Sequence, residues 1–259
     1  MNSIRIDDEV FAYDLSGDDD AKTLMFSNSL GTSAALWDGQ ERFFRTRCRV
    51  LRYDTRGHGG SVAGSGPYTI AQLGADVLRL LDALSIEKVS FCGISMGGLI
   101  GQWLGIHAAD RIDKLVLCNT AARIGELQGW MERASLVREQ GMEPVAESAL
   151  VRWFTEAYRE EKGQEAQRVL DMLRRTDPEG YASCCEAIGH ADFRGMLDRI
   201  KAPTLVMAGV YDPVTTVADA DEMARHIPDC ARVDLDAAHI SNVEAEQRFN
   251  EALAAHLER

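Results

Sequence analysis

Along the 259 residues, short apolar runs alternate with longer stretches whose apolar positions recur every three to four residues. The short runs predict strands at residues 10–15, 23–27, 49–53, 88–92, 114–118, 204–208 and 232–235. The periodic stretches predict helices at 70–84, 99–108, 217–226 and 243–257. Strands separated by helices argue for an α/β fold, with a mostly parallel central sheet covered by helices on both faces. The start of the chain differs. Residues 4–6 and 10–15 are separated only by Asp7, Asp8 and Glu9, which predicts an antiparallel hairpin at the sheet edge.

The alternation stops between 125 and 190. Helix-period segments at 130–140, 144–156, 164–175 and 178–188 follow one another, with Gly141, Gly163 and Asp177-Pro178 as breakers and no convincing strand. A helical block inserted between strands of such a sheet usually stands over their carboxyl ends, where these sheets bind ligands. The expected organisation is therefore a core built from 1–124 and 191–259, with an all-helical lid at 125–190. No internal repeat or low-complexity tract interrupts it.

Composition narrows the partners. With 46% hydrophobic residues there is material for a sizeable core. A net charge of −13 would repel nucleic acid and anionic membranes, so neither is an expected partner. An anionic ligand would need a local cation. No stretch reaches the roughly 20 apolar residues that span a bilayer. The opening M-N-S-I-R-I-D-D-E-V has no apolar core of a signal peptide, so a cytoplasmic protein is expected. Six cysteines, with Cys184 and Cys185 adjacent and no CxxC or HExxH spacing, suggest buried thiols and neither a disulfide framework nor a metal site. Nothing in the pattern bears on oligomeric state.

Candidate chemistry begins at V-S-F-C-G-I-S-M-G-G-L-I-G, residues 89–101. Here G-x-S-x-G, Gly93 to Gly97, follows a predicted strand and opens a predicted helix, the setting a nucleophile elbow requires. The turn is so tight that bulky side chains two residues from the serine would collide, and it lifts Oγ clear of the backbone. By chance the bare pattern arises in about one chain in ten of this length; the flanking strand and helix make an accident much rarer. Ser95 is the candidate nucleophile.

A serine needs a base. Of six histidines, His107, His226 and His256 fall in or near helical segments and suit surface or packing roles. His58, in D-T-R-G-H-G-G, precedes the nucleophile and suits a loop-structuring role; His190 ends the helical block and could at best touch substrate. His239 follows a strand by the short loop L-D-A-A-H, and Ser241 to Glu244 after it have a capping-box spacing. It also comes last in the chain order Ser…Asp…His. For the acid, Asp212 stands just past a strand end in V-Y-D-P-V-T, whereas Asp219 and Asp221 fall inside a helix and Asp234 and Asp236 flank the last strand. An oxyanion would need two donors: the backbone N–H of Met96, and that of Leu30 in the loop N-S-L-G-T after the early strand.

These motifs give the chain a resemblance to the α/β-hydrolases throughout, and more narrowly to bacterial 3-oxoadipate enol-lactonases. The matching segments are S-N-S-L-G-T at 27–32, Y-D-T-R-G-H-G at 53–59, G-I-S-M-G-G-L-I-G-Q at 93–102, N-T-A-A-R-I-G at 119–125 and C-C-E-A-I…A-D-F-R at 184–194. Gly60 departs from the resemblance, since arginine is more usual there. The resemblance implies ring opening of 3-oxoadipate enol-lactone to 3-oxoadipate, in the β-ketoadipate pathway of protocatechuate and catechol degradation, with no cofactor and no metal. The same triad would also serve a carboxylesterase, a cofactor-free perhydrolase or a carbon–carbon bond hydrolase, and a hydrolase-fold receptor would use the pocket only to bind. The small anionic lactone carries a carboxylate. In G-W-M-E-R, Trp130 and Arg133 lie three apart on one helical face, as a candidate apolar wall and a candidate carboxylate anchor.

Overall fold

The computed structural model describes residues 1–259. Its edge hairpin is β1 (Asn2–Ile6) and β2 (Glu9–Ser16). Then come β3 (Thr23–Ser27), α1 (Asp38–Phe44), β4 (Arg49–Tyr53), α2 (Ile70–Ala83), β5 (Val89–Ile94), α3 (Met96–His107) and β6 (Ile112–Cys118). Five helices follow: α4 (Leu127–Gln140), α5 (Glu143–Trp153), α6 (Glu156–Glu161), α7 (Gly163–Arg174) and α8 (Pro178–Gly189). The chain ends with β7 (Thr204–Gly209), α9 (Val217–His226), β8 (Cys230–Leu235), α10 (Ser241–Glu244) and α11 (Glu246–Glu258).

The eight strands lie in the order β1-β2-β4-β3-β5-β6-β7-β8. Only the β1–β2 and β2–β4 pairs are antiparallel. β3, β5 and β7 are buried at every position, which is why they read as continuous apolar runs without alternation. From β3 the chain turns back to β4 on one side, and from β5 it goes on to β6 on the other. The carboxyl ends of β3 and β5 therefore flank the switch point where open α/β sheets bind ligands. α1 and α11 cover one face, and α2, α3 and α9 the other.

The five helices between β6 and β7 share the core of the sheet. Val137, Ala149, Leu170 and Tyr181 belong to one continuous cluster of 73 buried residues with β3, β5 and β7, so the block has no separate core. Its two ends are closed together by Phe193 N–H donating to the Ala122 carbonyl at 2.8 Å. A second tie runs to the far end of the chain, where Ile240 N–H donates to the Trp153 carbonyl at 3.0 Å.

Three local expectations fail, each for a tertiary reason. The helix expected over 144–156 breaks at Phe154, which is extended and fully buried; Thr155 then caps α6, a helix the periodicity does not reveal. The helix expected over 243–257 is divided at Ala245 into α10 and α11. The capping box expected at Ser241–Glu244 does not form. Ser241 Oγ donates instead to Asn119 Oδ1, and the Glu244 carboxylate accepts from Ala238 N–H (2.8 Å) and from the N–H and hydroxyl of Thr155. The loop at Gly60 is accounted for without an arginine: Gly60 N–H donates to Asp54 Oδ2 at 2.8 Å, and Ala34 N–H to Oδ1 at 2.7 Å. All six cysteines are free thiols.

Candidate active site

Ser95 stands alone between the end of β5 and the start of α3, with φ 55° and ψ −114°. Side chains rarely adopt that conformation, and it persists only where the surroundings enforce it. Here they do. Ser95 N–H donates to the Cys118 carbonyl at 3.0 Å, while the Ser95 carbonyl accepts from Gly98 N–H at 2.9 Å and from the Thr120 hydroxyl at 2.9 Å. The two flanking glycines have no room for a side chain. A Cβ on Gly93 would lie 2.1 Å from the Gly97 carbonyl oxygen, and one on Gly97 would lie 2.3 Å from the Ser27 carbonyl oxygen.

Asp212 and His239, 27 positions apart, are brought together by adjacent strands β7 and β8. His239 Nδ1–H donates to Asp212 Oδ2 at 2.7 Å, and both side chains are buried. That bond leaves Nε2 as the acceptor nitrogen, the one a general base must offer. Asp212 Oδ1 accepts from the N–H groups of Val214 (2.7 Å) and Thr215 (3.1 Å); Oδ2 also accepts from Thr215 Oγ1 (2.7 Å) and Asn119 Nδ2 (2.9 Å). Burial pushes the Asp212 pKa up, but the charge and hydrogen bond of His239, with those of Asn119 and Thr215, outweigh it. The carboxyl is held below its ordinary value. No hydrogen bond joins Ser95 to His239, although both face one cavity. Such bonds are commonly long until substrate tightens the site.

Asn119 is the residue that sequence reasoning passed over. Its backbone has φ 40°, just past β6. From there Nδ2 donates to Asp212 Oδ2 and to the Ala238 carbonyl (3.0 Å), while Oδ1 accepts from Ser241 Oγ. One amide thus ties together the loops that carry the acid and the histidine. The signals in the sequence are its position immediately after a strand and its place at the head of the matching segment N-T-A-A-R-I-G.

One cavity joins these groups. The loops of the sheet supply Leu30, Ser95 and His239. The helical block supplies Trp130 and Arg133 from α4, Arg152 from α5 and Tyr181 from α8. Leu30 N–H makes no hydrogen bond within the protein, and Met96 N–H, at the first position of α3, has no intrahelical acceptor. Both residues are buried, where N–H groups rarely stay unpaired, so two donors without a partner stand between β3 and β5. His58 fixes the same loop from below. Its Nε2 accepts from Gly31 N–H at 2.8 Å, Nδ1–H donates to the Arg56 carbonyl at 3.2 Å, and burial pushes its pKa down to about 4. His107, His190 and His226 are exposed, His256 packs under Pro203, and none of these lines the cavity.

The Arg133 guanidinium lies 4.8 Å above the Trp130 ring, and the indole N–H is spent on the Ile124 carbonyl at 2.6 Å. Trp130 therefore offers the cavity an apolar face and holds Arg133 by cation–π contact. Arg152, half-buried on α5, is the second cation there. Burial, then the charge of Arg133, push its pKa below the ordinary guanidinium value.

Comparison with known proteins agrees in fold and extent. Residues 22–246 match the family model described as alpha/beta hydrolase fold. The chain is 48% identical over 258 residues to 3-oxoadipate enol-lactonase 2 of Acinetobacter baylyi, covering 100% of this chain and 97% of that protein. It is 41% identical to 3-oxoadipate enol-lactonase 1 of the same organism, covering 93% and 90%. Among solved structures, the enol-lactonase of Burkholderia xenovorans LB400 superposes with a TM-score of 0.97 at 43% identity, covering both chains in full.

Proposed function

The chain belongs to the α/β-hydrolase family, and on that footing we propose that it opens the ring of 3-oxoadipate enol-lactone to 3-oxoadipate, with Ser95, His239 and Asp212 as its catalytic triad. The observation that carries this reading is the cavity itself, where Ser95 and His239 face two arginines. A nucleophile beside cations suits an anionic acyl substrate. Full-length similarity to two enzymes named 3-oxoadipate enol-lactonases supports the choice of lactone.

The residues have chemistry for each step. His239 Nε2 takes the Ser95 proton as Oγ attacks the lactone carbonyl, and Asp212 stabilises the imidazolium through Nδ1–H. The N–H groups of Leu30 and Met96 receive the oxyanion. Collapse breaks the ring C–O bond and expels an enolate, a better leaving group than an alkoxide. His239 then activates water against the acyl-enzyme. Arg133, held on Trp130, anchors the side-arm carboxylate. Helices within 125–190 act as a lid that roofs this cavity and excludes water, and no step calls for a metal or cofactor. No helix is long and apolar enough to cross a membrane, which fits a cytoplasmic enzyme of the β-ketoadipate pathway.

The test is turnover of the enol-lactone, followed as loss of ultraviolet absorbance. Turnover that disappears in Ser95→Ala is expected. Hydrolysis of simple aryl esters with no lactone turnover would point to a carboxylesterase instead.

A further inference from the structure

Two guanidinium groups share the cavity of Ser95 and His239, in a chain whose net charge is −13. The hollow outside the cavity, lined also by Gly125, Gly129 and Pro213, is bordered by the same two arginines. No carboxylate lies among the residues lining the inner cavity. The fold neutralises arginine elsewhere in the same helical block, since Arg138 pairs with Glu179 at 2.7 Å and with Glu186 at 2.6 Å. At Arg152 it does the reverse, setting a half-buried guanidinium near a second one. Like charges so placed are costly until an anion meets them. The anion must come from outside.

The substrate of the reading above, on which this inference rests, brings a single carboxylate. Its second negative charge near that arm arises only in the reaction. As Ser95 Oγ bonds to the carbonyl carbon, its proton passes to His239 Nε2. The oxyanion then re-forms the carbonyl, and the bond from that carbon to the ring oxygen breaks. The electron pair stays on the ring oxygen as an enolate, whose carbon is one methylene away from the side-arm carboxylate. The proton held on His239 returns to the opened fragment, which settles as the ketone.

We infer that Arg152 holds the enolate oxygen released by ring opening, while Arg133 holds the side-arm carboxylate. The pocket then carries two cations for two anions only after the ring has opened. A group that meets charge as it develops accelerates the chemical step more than it tightens substrate binding.

The test uses the full chain as wild type, Arg152→Gln and Arg152→Lys, with two readouts. On the enol-lactone, kcat of Arg152→Gln should fall about a hundredfold with little change in KM, and Arg152→Lys should recover part of the loss. In aryl-ester hydrolysis, malonate serves as a probe because its two carboxylates reproduce the spacing of carboxylate and enolate oxygen. Malonate should inhibit the wild type about tenfold better than propionate, and Arg152→Gln should erase that preference. Labelling of Ser95 in the variant by a fluorophosphonate probe reports an intact triad. An unchanged kcat, a rise in KM alone, or a wild type that treats malonate and propionate alike would overturn the inference. A wild type inert toward the enol-lactone would overturn the activity reading and this inference with it; an active wild type with an unaffected variant overturns the inference alone.

Discussion

Asn119 Nδ2 donates to Asp212 Oδ2 at 2.9 Å, and by that bond the end of β6 holds the carboxylate carried on the loop after β7. The same amide reaches the Ala238 carbonyl, one residue before His239. Removing it leaves a buried carboxylate short of a donor and a carbonyl unpaired, at about 1–3 kcal/mol. If part of that loss falls on the placing of the imidazole, Asn119→Ala should lower kcat by about 10–100-fold. KM should change little, because Asn119 does not line the cavity. Steady-state kinetics on both the lactone and an aryl ester measure this. A variant with wild-type kcat would show that Asp212 is held well enough without it.

Ser95 pits conformation against chemistry. Ser95→Ala keeps the Cβ and should fold normally, while losing about three orders of magnitude or more of turnover. Ser95→Gly should be equally inactive, yet more stable by about 1 kcal/mol, because relief of the φ 55° strain exceeds the entropic cost of glycine. A rise of about 2–4 °C in Tm is expected for a chain of this size. An unchanged or lowered Tm would mean that the elbow stores little strain.

His239→Ala should be about as damaging to turnover as Ser95→Ala, since Asp212 alone cannot take the serine proton. His226→Ala, on an exposed helix end, should leave turnover within about twofold of wild type, as surface substitutions generally do. Indispensable His226 with dispensable His239 would reverse the assignment.

His58 gives a pH dependence of stability. Its folded-state pKa, about 4, lies below the ordinary 6.5, so the unfolded chain binds more protons between those values. Stability from the neutral ring is complete above about pH 6.5 and is lost as pH falls toward 4, to a total of about 3 kcal/mol. Protonation at Nε2 would set N–H against Gly31 N–H, the bond that fixes the loop beside Leu30. Urea midpoints from pH 7 to 4 should fall in the wild type, and His58→Gln, less stable at pH 7, should show a shallower slope. Parallel slopes would remove His58 as the source.

Arg133→Met tests the carboxylate anchor. Losing one partner of a partly buried charge pair costs about 2–5 kcal/mol, so KM for the enol-lactone should rise by about thirtyfold or more. Hydrolysis of an uncharged aryl ester should change little, because the triad and the N–H groups of Leu30 and Met96 lie on other elements. Equal effects on both substrates, or on neither, would rule Arg133 out as the anchor.

Much of this protein is legible in one dimension because its signals are local. β3, β5 and β7 announce themselves as apolar runs buried on both faces, and their ends move by no more than two residues in the structure. Gly93 and Gly97 mark the elbow because backbone passes within 2.1 and 2.3 Å of where a Cβ would stand, a constraint that only glycine meets. Asp212 and His239 stand out by standing just past strand ends in the required order. Trp130 and Arg133 pair because three residues on a helix bring side chains to one face.

What the tertiary structure alone decided is where distant parts of the chain compete for the same polar groups. Ser241 and Glu244 have the spacing of a helix cap, yet Asn119, Ala238 and Thr155 claim them. Thr155, whose N–H and hydroxyl donate to Glu244 near the end of the chain, and the buried Phe154 divide a helix that periodicity would have run straight through. Asn119 heads a segment of the resemblance, but its role does not show there, because its worth comes from Asp212 and Ala238, which lie 93 and 119 positions away. Arg152 likewise looks like any surface arginine until α5 folds over the carboxyl ends of the strands and faces it into the cavity of Ser95. Propensity and steric fit act between neighbours in the chain and can be read there; a hydrogen bond or an uncompensated charge depends on which groups meet, and only the packed fold determines that.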